Sequence, residues 1–184
     1  MQATSAFAEL LKFNIAYLIR TLEGLPKEKY FVRPENRGNP VMWLLGHLVL
    51  NRGEIVEILG GDPATRDLGN LFARGTRPLS DQSNYPEPDK LMKRYIRLAS
   101  ITDHLLKNCD QSLLDRPSWG QFETVGQNLI YSYMHETHHI GQITYLVNLP
   151  SVRGPKKQTS FNKPEDRKTS TTKIVLESIK SVFS

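Results

Sequence analysis

Apolar residues recur every three to four positions over four long stretches of the chain, which is the period of an amphipathic α-helix. The predicted helices cover residues 5–22, 40–60, 88–108 and 124–149. No stretch shows the alternating pattern of a strand or the turn residues of a hairpin. The pattern therefore predicts an all-α protein whose core is a four-helix bundle.

Residues that favour helix ends lie at these boundaries. Asn39 is a good N-cap for the second helix, and Pro40 fits its first position, where a missing N–H costs nothing. Thr124 and Gln127 match the capping box of the fourth helix. Pro150 is expected to end that helix.

The connection between the second and third predicted helices is unusually long and covers residues 61–87. Loops of this length are uncommon inside compact domains and often carry function. Within this connection, Leu68, Leu71 and Phe72 predict a short helical turn.

The composition shifts to Lys, Ser, Thr and Pro after residue 150. This shift predicts a bundle domain, residues 1–150, and a C-terminal extension, residues 151–184. The extension is expected to hold a basic linker and a short amphipathic helix at about 171–183, which would dock on the bundle or on a partner subunit.

Composition and charge narrow the class of protein. The 184 residues carry a net charge of +5, a mild excess without interleaved aromatic residues, so no nucleic-acid partner is expected. The chain lacks a signal-peptide pattern and an apolar run of roughly 18 residues. Cys109 is the single cysteine and cannot form an internal disulfide. A cytoplasmic protein with an idle thiol and no membrane partner is expected.

The fourth predicted helix carries an unusual polar stripe. His135 and His139 lie one turn apart, and a helical wheel places several other side chains beside them. These neighbours are Asn128, Tyr131, Ser132 and Gln142. Buried polar groups need partners, and either a hydrogen-bond network or a metal ion bound by the two histidines would supply them.

A third histidine, His47, interrupts the otherwise apolar second helix. Facing helices of one bundle can bring three histidines together, and three imidazoles with an open position are typical of a catalytic metal site. His104 is expected on the surface, and His138, at the edge of the stripe, is expected to support the site or to face solvent.

Two short motifs resemble those of the DinB/YfiT-like superfamily of metal-binding four-helix bundles: Gly-His-Leu at 46–48 and His-x-x-His-His-x-Gly-Gln at 135–142. The resemblance covers about residues 7–149. It implies one nickel or zinc ion on His47, His135 and His139, and a homodimer. Characterised members include S-transferases and isomerases that use low-molecular-weight thiols such as bacillithiol or mycothiol.

The leading hypothesis is a metal-dependent thiol S-transferase that acts on small electrophilic molecules. Metal coordination lowers the pKa of a thiol, so the enzyme needs no nucleophile of its own. Gln142, Asn128 and Tyr131 are candidates to orient the metal ligands or the substrate. The long connection is expected to line the mouth of the site and to meet an anionic thiol through Arg66, Phe72, Arg74 and Arg77.

Three alternatives remain open at the level of the sequence. The segment 135–139 also fits H-E-x-x-H, in which Glu136 would be the general base of a zinc hydrolase. A second alternative is a non-catalytic, metal-binding stress-response dimer. The third is a bundle whose polar core binds no metal.

Overall fold

The computed structural model describes residues 2–34 and 37–153, and these residues form a bundle of four long helices. The α-helices are α1 (Ala3–Leu22), α2 (Val41–Ile58), α3 (Gly69–Phe72), α4 (Pro88–Asn108), α5 (Val125–Asn148) and α6 (Pro150–Arg153). Short 3-10 helices cover Lys27–Phe31, Arg66–Leu68, Gln82–Asn84 and Gln111–Asp115. The described part of the chain has no strand, only an isolated bridge between Pro117 and Thr124. The predicted all-α bundle is confirmed.

The predicted helix boundaries hold within two residues, and two of the differences have a local cause. Pro40, not Asn39, occupies the N-cap position of α2, where its carbonyl oxygen accepts a hydrogen bond from the backbone N–H of Leu44 at 3.1 Å. The fourth long helix ends at Asn148, and Pro150 then begins the short helix α6, because proline is well tolerated in a first helical turn. The helix expected at 171–183 lies outside the described residues.

The N-terminus of α5 confirms the cap that the sequence predicts. The Thr124 hydroxyl oxygen accepts a hydrogen bond from the backbone N–H of Gln127 at 3.2 Å. The Gln127 amide oxygen accepts from the backbone N–H of Glu123 at 3.0 Å, one residue before the expected partner. The first bond satisfies one of the N–H groups that a helix start would otherwise leave free, and the second joins the residue before the N-cap to the first turn.

The helix α2 lies at the centre of the packing and is buried along almost its whole length. It packs against α4 and α5, and α1 packs against the same two helices, so α1 and α2 lie diagonally across the bundle. Neighbouring α2 and α5 therefore bring residues from distant parts of the chain together. Within the described residues, no helix is long and apolar enough to cross a membrane.

The long connection folds back onto α2 rather than extending into solvent. The ring of Phe72 is fully buried against Gly46, where a Cβ atom would overlap the ring. The absence of a side chain at Gly46 thus creates the notch that receives α3. This contact brings the backbone of the connection beside His47.

Candidate metal centre

Three histidines converge where α2 and α5 face each other. Their candidate ligand nitrogens all lie within 4.8 Å of one another. The Nε2 atom of His135 lies 3.3 Å from Nε2 of His47 and 2.8 Å from Nε2 of His139. The structure therefore brings together the three residues that the sequence singles out.

Each of these imidazoles directs its other nitrogen, Nδ1, at an oxygen atom. His47 Nδ1 lies 2.7 Å from the backbone carbonyl oxygen of Phe72. His139 Nδ1 lies 2.8 Å from the side-chain oxygen of Gln142, and His135 Nδ1 lies 3.1 Å from that of Asn51. Because these oxygens can only accept, each Nδ1 carries the proton, and each Nε2 keeps its lone pair.

The orientation of Asn51 is itself fixed. Its side-chain nitrogen donates a hydrogen bond to the backbone carbonyl oxygen of Ser132 at 3.3 Å, which turns the amide oxygen toward His135. Sequence reasoning missed this residue, although Asn51 lies one turn after His47 on α2 and its spacing is a signal that could have identified it.

The converging lone pairs make this site suited to a cation. Two nitrogens that both accept cannot hydrogen-bond to each other, so their close approach is repulsive without a positive charge between them. Nitrogens bound at about 2.0–2.1 Å to one metal ion lie roughly 2.8–3.4 Å apart. The separations of 2.8 and 3.3 Å from His135 Nε2 fall within that range, and the three ligand atoms together lie within 4.8 Å of one another. The residues present therefore fit a divalent metal ion.

Burial keeps the imidazoles neutral, which is the form that binds metals. Burial, reinforced by the neighbouring His139 and His47, lowers the pKa of His135 to about 4. Burial also lowers the pKa of His47 and of His139 below the usual histidine value.

Packing against Trp43 holds the imidazole of His47 in place. The Trp43 ring stacks on its imidazole, with ring centroids 4.8 Å apart and an interplanar angle of 16°. The indole N–H of Trp43 donates to the Thr76 hydroxyl at 2.9 Å, so the long connection also fixes the indole. This ligand is consequently preorganised by packing and by its bond to Phe72.

An open cleft of about 1000 Å³ gives access to the centre, and His47 and His135 lie in its lining. The connection contributes Arg66 and Arg74, as predicted for the mouth. Two expectations for the connection are wrong. Phe72 is buried in the core because α2 offers the glycine notch, and Arg77 is not part of the lining.

Of the residues predicted to support the site, two contact a histidine of the cluster and two do not. The side-chain oxygen of Gln142 lies 2.8 Å from His139 Nδ1, and the ring of Tyr131 stacks on His135 at 5.6 Å between centroids. Asn128 is buried and lines the cleft, but its side chain donates to the Ser118 hydroxyl at 3.0 Å. Glu136 lies on the buried side of α5.

Glu136 belongs to a buried network that joins all four long helices. Its carboxylate accepts from Arg52 on α2, with one bond of 2.9 Å from Nε, and from the Asn14 side chain on α1 at 3.1 Å. Arg52 also donates to the Tyr95 hydroxyl on α4 at 3.2 Å. A carboxylate bound in this way is not available as the general base that the H-E-x-x-H interpretation requires. Sequence reasoning missed Arg52, whose position on an otherwise apolar helix is a signal.

The two remaining histidines lie outside the cluster. His104 is exposed on α4 and contacts Asn108. His138 is exposed on α5, with its ring centroid 5.3 Å from that of His139.

Comparison with known proteins assigns the chain to a family. The sequence model of the DinB superfamily matches residues 10–143, which span the bundle and include all three converging histidines. No curated protein and no solved structure shows significant similarity to the chain. The match covers well over half of the 184 residues, and the chain belongs to the DinB superfamily.

Proposed function

We propose that this protein is a divalent-metal-dependent enzyme that joins a low-molecular-weight thiol to a small electrophile. The observation that carries the proposal is the convergence of three Nε2 lone pairs beside an open cleft. Three protein ligands with room for another are typical of catalytic sites, whereas structural sites are closed by a fourth protein ligand.

The chemistry requires a thiolate and a reachable carbon atom. A nickel or zinc ion on His47, His135 and His139 would lower the pKa of a thiol, so that its proton passes to solvent. The sulfur lone pair then forms the new C–S bond, while the leaving group departs with the electron pair of the bond it breaks. The only cysteine, Cys109, is not part of the cleft lining and bonds to the carbonyl of Leu106, which suits a reaction whose sulfur comes from a second substrate.

The arginines of the connection support an anionic thiol as co-substrate. Arg66 and Arg74 line the cleft, and the charge of Arg74 acts on His135. A guanidinium group pairs well with carboxylate or phosphate groups of a ligand. An Arg74→Ala variant is expected to raise the KM for an anionic thiol and to leave the KM for neutral 2-mercaptoethanol unchanged.

Metal content tests the proposal first. Wild-type protein incubated with nickel or zinc is expected to hold close to one ion per chain, and His47→Ala and His135→Ala are expected to lose it. The matched control is His104→Ala, which removes an exposed histidine of α4 and is expected to retain the ion. Circular dichroism confirms that each variant is folded. Wild type that takes up no metal would contradict the proposal.

Turnover is the second test. Metal-loaded protein is expected to accelerate the loss of free thiol in the presence of an alkyl halide, an epoxide or an aryl halide. A protein that binds metal but never exceeds the uncatalysed rate would instead be a non-catalytic metal-binding protein.

We also propose a homodimer, and an exposed apolar face supports it. Ile130, Met134 and Tyr145 on α5 are 51%, 62% and 68% exposed, and Phe13 and Tyr17 on α1 are also exposed. Exposed apolar side chains in such number favour association. Sedimentation analysis is expected to give a dimer for the wild type and a monomer for Met134→Glu.

A further inference from the structure

Aromatic side chains form one wall of the cleft that leads to the metal centre. Trp119, Phe122 and Tyr131 all line it, and the side chains of Trp119 and Tyr131 are 51% and 40% exposed. The rings of Phe122 and Tyr131 lie 5.0 Å apart between centroids. Tyr131 in turn lies 5.6 Å from His135, with an interplanar angle of 25°. A series of rings thus runs from the loop to a metal-binding residue.

The loop that carries Trp119 and Phe122 is tied at both ends. An isolated bridge links Pro117 to Thr124, and the backbone N–H of Ser118 donates to the carbonyl of Glu123 at 3.2 Å. The Ser118 hydroxyl also accepts the bond from Asn128 on α5. The loop is therefore fixed against α5 before any ligand arrives.

The exposed rings of Trp119 and Tyr131 are suited to binding a planar ligand. A Trp and a Tyr side chain in water bury little apolar surface, and a tied loop cannot fold them into the core. Tyr131 already contacts the rings of Phe122 and His135, so the exposed surface of Trp119 and the exposed part of Tyr131 are what a planar ligand can contact. Such a ligand gains from apolar burial and from stacked or edge-to-face ring contact. The charged side chains Arg66 and Arg74, by contrast, belong to the connection that packs on α2.

We infer that the cleft selects electrophiles with a planar aromatic ring, which stacks on Trp119 and packs against the exposed parts of Phe122 and Tyr131, with its reacting carbon toward His135. This inference rests on the proposed function, since it specifies the second substrate of the same site. Trp119 and Phe122 are then specificity-determining residues that contact the ring.

The test uses a matched pair of product-like thioethers that differ only in their ring. S-benzyl-L-cysteine and S-(cyclohexylmethyl)-L-cysteine are titrated into zinc-loaded protein and their affinities are measured by calorimetry. The wild type is expected to bind the benzyl compound about three- to tenfold more tightly, the range that a stacked aromatic pair contributes beyond its buried area. Trp119→Leu and Phe122→Leu are each expected to reduce that ratio toward one.

The control is Tyr145→Leu, which removes an aromatic residue outside the cleft and is expected to keep the wild-type ratio. Equal affinities of the two thioethers for wild type, or a ratio that survives in Trp119→Leu, would overturn the inference. The two affinity measurements do not depend on catalytic turnover. A protein that prefers the benzyl compound but catalyses no thiol transfer supports the aromatic site and contradicts only the proposed reaction.

Discussion

Replacing Glu136 by Gln is expected to lower the free energy of unfolding by about 3–5 kcal/mol, the cost of leaving a buried charge without its partner. The side chains of Glu136 and Arg52 are 0% and 1% exposed. The variant keeps the guanidinium charge, because arginine stays protonated in proteins. Arg52 would lose its charge-assisted bonds to the carboxylate and keep only neutral acceptors, the new amide oxygen and the Tyr95 hydroxyl at 3.2 Å.

Urea unfolding followed by circular dichroism measures this loss, as a lower midpoint with an unchanged slope. The matched variant is Arg52→Met with Glu136→Leu, which replaces the pair by apolar side chains. Such replacements are neutral or stabilising in other proteins, so the double variant is expected to recover most of the loss. A Glu136→Gln variant that loses less than about 1 kcal/mol would refute the reasoning that this charge pair is fully desolvated.

The same double variant separates stability from positioning. Arg52 adjoins Asn51, and Glu136 adjoins His135, so the pair fixes α2 and α5 next to the candidate metal ligands. We expect the double variant to be stable but to bind zinc about 10- to 100-fold more weakly, as when other supporting contacts of metal ligands are lost. Full zinc affinity in a stable double variant would show that the pair serves the fold alone.

Three further predictions concern the immediate surroundings of the histidines. Gly46→Ala is expected to cost about 1–3 kcal/mol in urea unfolding, because a methyl group there overlaps the ring of Phe72; wild-type stability would contradict the notch. Asn51→Leu is expected to weaken zinc binding about 10- to 100-fold in a competition assay, while Asn51→Asp, which keeps an acceptor for His135, retains it. Zinc affinity is expected to fall between pH 7 and 5.5 by much less than the roughly 500-fold that three ordinary imidazoles would lose, because burial lowers the pKa of His47 and His139 and lowers that of His135 to about 4.

The helices and the three histidines could be predicted because each depends on a local pattern. Apolar periodicity fixes helix type whatever the helix packs against, and His135 and His139 lie on one face wherever that face points. His47 stood out because a single imidazole interrupts an apolar helix. The convergence of the three side chains follows from α2 and α5 being neighbours, which the sequence suggests only through the family resemblance.

The rotation of α5 could not be predicted in the same way. A helical wheel gives the angles between side chains but not the direction of the core, so the sequence cannot show that Tyr131 and Gln142 are exposed while Ser132 on the same stripe is buried. The burial of Glu136 could not be predicted because its partner Arg52 lies 84 residues away, on another helix. A charged residue is usually on the surface, and only the ion pair between Arg52 and Glu136 in the folded protein explains why both are buried.

Most of the interactions that build the candidate site lie in the contact between α2 and α5. Along α2, His47 offers a ligand nitrogen, Asn51 orients His135, and Arg52 binds the neighbour of His135 on α5. These interactions hold three lone pairs together although the lone pairs repel one another. The ion pair and the packing must therefore offset that repulsion. A cation bound between the three nitrogens would replace the repulsion of their lone pairs by attraction to the ion. It follows that binding of the metal and stability of the α2–α5 contact are thermodynamically coupled, so a variant that loosens this contact weakens metal binding even when it touches no ligand.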